Sequence, residues 1–83
     1  MAILQYAADA ELETVIFNKA WTPIFSSLSD EDAGRLIKAV CAALDGEDAG
    51  ADLEGAALTK AYKTITARMD FTAKKYLQRI RQA

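Results

Sequence analysis

Ser29-Asp30-Glu31-Asp32-Ala33-Gly34-Arg35-Leu36-Ile37-Lys38-Ala39-Val40-Cys41-Ala42-Ala43-Leu44-Asp45-Gly46 is the stretch on which the fold turns. Ser29 carries a side-chain oxygen able to cap a helix, and Asp32 stands at the capping-box position. Asp30, Glu31 and Asp32 put negative charge where the helix dipole favours it. Ala33, Leu36, Ile37, Val40, Cys41 and Leu44 then recur at helical spacing, and Asp45-Gly46 stops the run with glycine where a left-handed residue is wanted. The spacing predicts a helix over 30–45 with this stripe against a core. Cys41 lies on the stripe and is expected to be buried as a small hydrophobe. Gly34, at the stripe's edge in the first turn, weakens the helix, which predicts the close approach of another backbone.

Downstream, Gly46 to Gly55 reads as a loop with four acidic residues, and from Ala56 onward nothing breaks a helix, which predicts one over 56–82. At that length it extends about 40 Å, more than a core this small needs, so its far end is expected to overhang or to meet a second chain. Leu58, Ala61, Tyr62, Ile65, Met69, Thr72, Tyr76 and Ile80 hold one face of it. Lys60, Lys63, Arg68, Lys74, Lys75, Arg79 and Arg81 hold the other, with Phe71 among them as the one large apolar residue off the stripe. Asp70 is the only acid in this segment, and an i,i+4 pair with Lys74 accounts for it.

Upstream, Trp21, Ile24 or Phe25, and Leu28 keep helical spacing and predict a short helix within 18–28. It starts either after Asn18 with Pro23 in the second turn, or after Thr22 with Pro23 first. Residues 1–17 read as a helix through Ala10 to Phe17 or as an extended arm laid over the core. The whole, 1–83, is expected to be a single all-α domain: a small three- to four-helix fold with a long C-terminal helix.

The composition excludes more than it selects. With 83 residues, no histidine and one cysteine, the chain can assemble neither a His base nor a Cys/His metal cage, and it cannot form an internal disulfide. No residue set fills the nucleophile, base and orienter roles together, so no enzymatic activity and no cofactor are expected. Gly46, Gly50 and Gly55 are too far apart for a phosphate loop. An EF-hand starting at Asp45 would have Ala56 where the closing carboxylate belongs, so no metal site is expected either. No apolar run reaches the roughly 20 residues of a membrane span, and the N-terminus lacks the basic region of a signal peptide; a cytoplasmic location and no membrane partner are expected.

Charge is divided along the chain. Residues 1–55 carry 11 acids and 3 bases, net −8, whereas 56–83 carry 7 bases and 1 acid, net +6. The overall −2 therefore conceals a basic helix. Bases interleaved with an aromatic suit contact with another macromolecule: a protein held around a central anchor, or a nucleic acid held by its phosphates with a base on the ring. The candidate partner-binding residues are Lys60, Lys63, Arg68, Phe71, Lys74, Lys75 and Arg79. The competing reading has the arm covering Phe71 through Ile3, Leu4 and Tyr6, or through Val15 to Phe17, with the bases merely solvated.

Three segments together resemble an uncharacterised all-helical domain of short phage and prophage proteins. They are Leu28 through Val40; the turn Gly46-Glu47-Asp48 with Leu53-Glu54-Gly55; and Tyr62-x2-Ile65-x3-Met69-Asp70-x4-Lys75-Tyr76. The resemblance spans about residues 15–77 and implies a compact helical module with no established activity, encoded near phage replication genes. It matches Gly34, Asp70, Lys75 and Tyr76 to recurrent positions; Ser29, Gly34, Asp70 and Tyr76 are accordingly taken as structural. The chain departs from the family in having Ala43-Leu44 where an aromatic is common, Phe71 where a polar residue stands, an added first dozen residues and no basic tail. The expectation is a non-enzymatic phage-type accessory protein that binds a protein, possible homodimer partners included, in the host cytoplasm. The alternatives are a nucleic-acid-binding module of phage replication and an inhibitor of a host defence system such as an anti-CRISPR.

Overall fold

In a computed structural model the described residues are Leu4, 6–9, Leu12, 14–47 and 53–82, with side chains described as far as Ile80. The chain is all-α, with a long last helix. A 3-10 turn, Lys19–Trp21, leads into α1 (Thr22–Ser26); α2 is Asp30–Leu44 and α3 is Ala56–Gln82. Among the described residues there is no strand.

The helical turn starts after Asn18, as one of the two suggested starts has it, and the α-helix follows one residue earlier than the other start, after Trp21 and not after Thr22. The Asn18 side chain accepts from the Ala20 N–H at 2.8 Å and caps the 3-10 turn, while the α-helix proper begins at Thr22. Pro23 then sits at the second helical position, where its missing N–H removes no helix bond. Ser29, in extended conformation, accepts from the Asp32 N–H at 3.1 Å and starts α2. Asp32 does not complete the reciprocal box, because its carboxylate lies 3.7 Å from Arg35, which also pairs with Glu31 at 2.6 Å. At the other end the Gly46 N–H donates to Ala43 (3.0 Å) and the Glu47 N–H to Ala42 (2.9 Å), with Gly46 at φ +90°. These two bonds make a Schellman cap.

The two glycines of α2 behave oppositely. A Cβ on Gly34 would meet nothing within 4 Å, so no backbone approaches it and the expected close contact is absent. Gly34→Ala should therefore raise stability by about 0.5–1 kcal/mol. Gly46→Ala should lower it by about 1–2 kcal/mol, because alanine is strained at positive φ. Urea midpoints at unchanged m-value measure both; a lower midpoint for Gly34→Ala would contradict the open space found there.

Leu36, Ala39, Val40 and Ala43 are the buried residues of α2, and they pack with Leu58, Tyr62, Ile65 and Met69 of α3. This stripe is rotated from the one read in the sequence. Cys41 is exposed and Ile37 is 40% exposed. At about 100° per residue, Cys41 points roughly 150° from the centre of the buried arc, whereas Ala39 and Ala43 fall inside it. The sequence reading favoured large side chains over alanine. The packing selects small ones that let the helices meet.

Residues 14–17 are not helical, and Ala10, Glu11 and Glu13, which the alternative N-terminal helix needs, lie outside the described residues. The arm instead turns at residues 6–9, where the Asp9 N–H donates to Tyr6 and the Leu12 N–H donates to Asp9. It buries Leu4 and Ala7 in the core. Trp21 is buried beside them, with the Phe17 ring edge-on at 5.1 Å.

Candidate binding face

The buried residues of α3 run from Leu58 to Leu77 through Tyr62, Ile65, Thr66, Met69 and Ala73. At about 100° per residue their common direction is opposite to Phe71, and Lys60, Lys63, Arg68, Lys74, Lys75 and Arg79 all lie at least about 100° from it. All six bases are exposed. No ion pair joins them to a described carboxylate; the ion pairs among the described residues are those of Arg35. From Lys60 to Arg79 the strip is about 28 Å long.

Within this strip the structure gathers three of the candidate residues closely. The Arg68 guanidinium lies 5.3 Å from the centre of the Phe71 ring and the Lys75 ammonium 4.7 Å from it. Arg68 is three residues before Phe71 and Lys75 four after, so the cations approach the ring from its two sides along the helix. Each contact contributes about 0.5–1 kcal/mol at an exposed site. Phe71 is nonetheless 47% exposed, so the arm does not cover it; the part of that reading that used Ile3 lies outside the described residues.

Lys74 does something else. Its ammonium sits 5.6 Å from the centre of the Tyr6 ring. The next residue toward the arm, Asp70, makes no ion pair with Lys74; one of its carboxylate oxygens accepts from the N–H groups of Tyr6 (2.6 Å) and Ala7 (3.0 Å). A carboxylate holding two backbone N–H groups across more than sixty residues is a clamp, and no local pairing rule predicts it. Asp70 thus fastens the arm to α3 and leaves Phe71, one residue on, outside. Lys60, Lys63 and Arg79 stand along the same side without joining the three-residue cluster.

Tyr76 and Ile80 correct the expected core face. They have the phase of the buried stripe yet are 54% and 43% exposed, because the rest of the domain does not reach them; Ala73 and Leu77 are buried in their place. On the far side of α2, Phe17, Phe25, Ala33, Gly34 and Ile37 line a shallow apolar groove, and of these the sequence pattern had put Ala33 and Ile37 on the core stripe. Among the described residues no group of His, Cys, Asp or Glu is placed to hold a metal ion, and no helix is long and apolar enough to cross a membrane. No protein-family model, curated protein or solved structure matches the chain.

Proposed function

We propose that this is a non-enzymatic accessory protein of the phage or prophage type, acting in the host cytoplasm by binding another protein through the face centred on Phe71. The observation that carries this reading is the half-exposed ring held between Arg68 and Lys75, pointing away from the core. Packing gives no reason for an aromatic there. Binding does, because an exposed aromatic flanked by cations has the composition of an interface anchor that a partner would desolvate. The partner surface that complements it is acidic around an apolar recess.

The unpaired strip of bases favours the second reading, a nucleic-acid-binding module of phage replication. Two features weigh against it. The Phe71 ring already engages two of the chain's own cations, so a base would compete with them in order to stack. Residues 1–55 carry net −8 and repel a long polyanion. Inhibition of a host defence complex such as a CRISPR effector is one form of protein binding, and a gene position beside such a target would support it.

The test uses the purified full chain with fluorescent single- and double-stranded DNA, at low and physiological salt, beside affinity capture from a bacterial lysate. The control is Arg68→Glu/Lys75→Glu, since Lys74 also holds the arm. The reading predicts no DNA binding at physiological salt, and a captured protein that both Phe71→Ala and the control lose. Tight DNA binding with a steep salt slope, lost in the control, would give the nucleic-acid reading first place.

A further inference from the structure

The other side of α3 carries an unsatisfied surface that the Phe71 face does not use. Tyr76 and Ile80 share the phase of the buried stripe at its C-terminal end, and Val15 (37% exposed) and Ile16 (65%) stand beside Tyr76 on the arm. Between arm and helix lies a groove of about 250 Å³ lined with Leu12, Met69 and Ala73. A second hollow shares Leu12, Thr14 and Val15 with it and reaches Leu44 and Asp45 at the C-terminal end of α2. The groove is apolar, and Asp45 gives the neighbouring hollow an acidic edge. The end of α3 has the matching character, with Tyr76 and Ile80 for the groove and Arg79 for the acidic edge.

We infer that the occupant of this groove is a second copy of the chain, its α3 end seated by Ile80 and Tyr76 with Arg79 toward Asp45, and the reverse contact made by the first. Charge complementarity selects this partner, because the basic helix and the acidic remainder belong to the same chain and a twofold pairing uses both ends twice. It also gives a role to Tyr76 and Ile80, apolar residues in core phase that stay about half exposed among the described residues. A dimer built this way leaves both Phe71 rings outward and takes only Arg79 from the basic strip, so it does not depend on the partner proposed above. The patch is small, and the association is of the weak, reversible class.

Sedimentation equilibrium of the full chain, up to about 0.5 mM, tests it. The expected result is a reversible rise from 9.0 kDa toward twice that mass. Ile80→Lys and Ile16→Lys should each weaken the association by at least about tenfold with the melting temperature unchanged, since both side chains are already in water. Arg79→Glu should weaken it similarly, and Asp45→Arg in the same chain should restore it. A mass of 9.0 kDa throughout would overturn the inference. So would a dimer indifferent to Ile80→Lys and Ile16→Lys, or one lost with Phe71→Ala, which would place the second copy on the basic face.

Discussion

Asp70→Ala is expected to lower the melting temperature by at least about 12 °C and to release the N-terminal arm. Hydrogen bonds to a charged acceptor contribute about 1.5–3 kcal/mol, and a domain of this size loses roughly 4–8 °C for each kcal/mol. Asp70 accepts two such bonds, from Tyr6 and Ala7, and the turn they hold carries Leu4 and Ala7 into the core. Asp70→Asn keeps an acceptor but not the charge and should lose about half as much. Amide exchange supplies the second measurement: the Tyr6 and Ala7 N–H groups should lose protection in Asp70→Ala while those in the middle of α2 keep theirs relative to global stability. A change below about 0.5 kcal/mol is what an exposed i,i+4 partner of Lys74 would give, and it would remove the clamp from the account.

Phe71→Ala has the opposite signature. A buried phenylalanine cut to alanine loses about 3–5 kcal/mol, which would come close to unfolding a domain this small. Phe71 forfeits only two exposed cation–π contacts, so the loss should stay below about 2 kcal/mol. Partner affinity, by contrast, should fall by about 30-fold or more, the effect of truncating a central anchor. Calorimetric titration of the captured partner into wild type and variant measures this loss. Loss of binding together with collapse of the melting transition would show that the ring serves the fold.

The helices were legible in the sequence because their signals are local. Ser29, the acids after it and Gly46 fix the ends of α2 through bonds spanning three to five residues, and the uninterrupted run after Ala56 fixes α3. What was missed depends on partners distant in the chain. A stripe chosen by side-chain size placed Ile37 and Cys41 inside, whereas contact with α3 rotates α2 toward Ala39 and Ala43. Asp70 looked like half of an ion pair because Lys74 lies at the right spacing, and only the folded arm reveals its two acceptor bonds to residues 6 and 7. The phase of α3 correctly set Phe71 opposite the core, since phase is a property of one helix. The exposure of Tyr76 and Ile80 was not legible, because it depends on where other elements end.

In the proposed function the ring at position 71 meets a protein partner. Photo-cross-linking from that position tests it most directly, with p-benzoylphenylalanine in place of Phe71 and, as the control, in place of the exposed Cys41 on α2. In bacterial cells the account predicts a discrete protein adduct from position 71, lost when Arg68→Glu/Lys75→Glu is added, and none of that mass from position 41. Equal adducts from both positions, or adducts with nucleic acid alone from position 71, would contradict it.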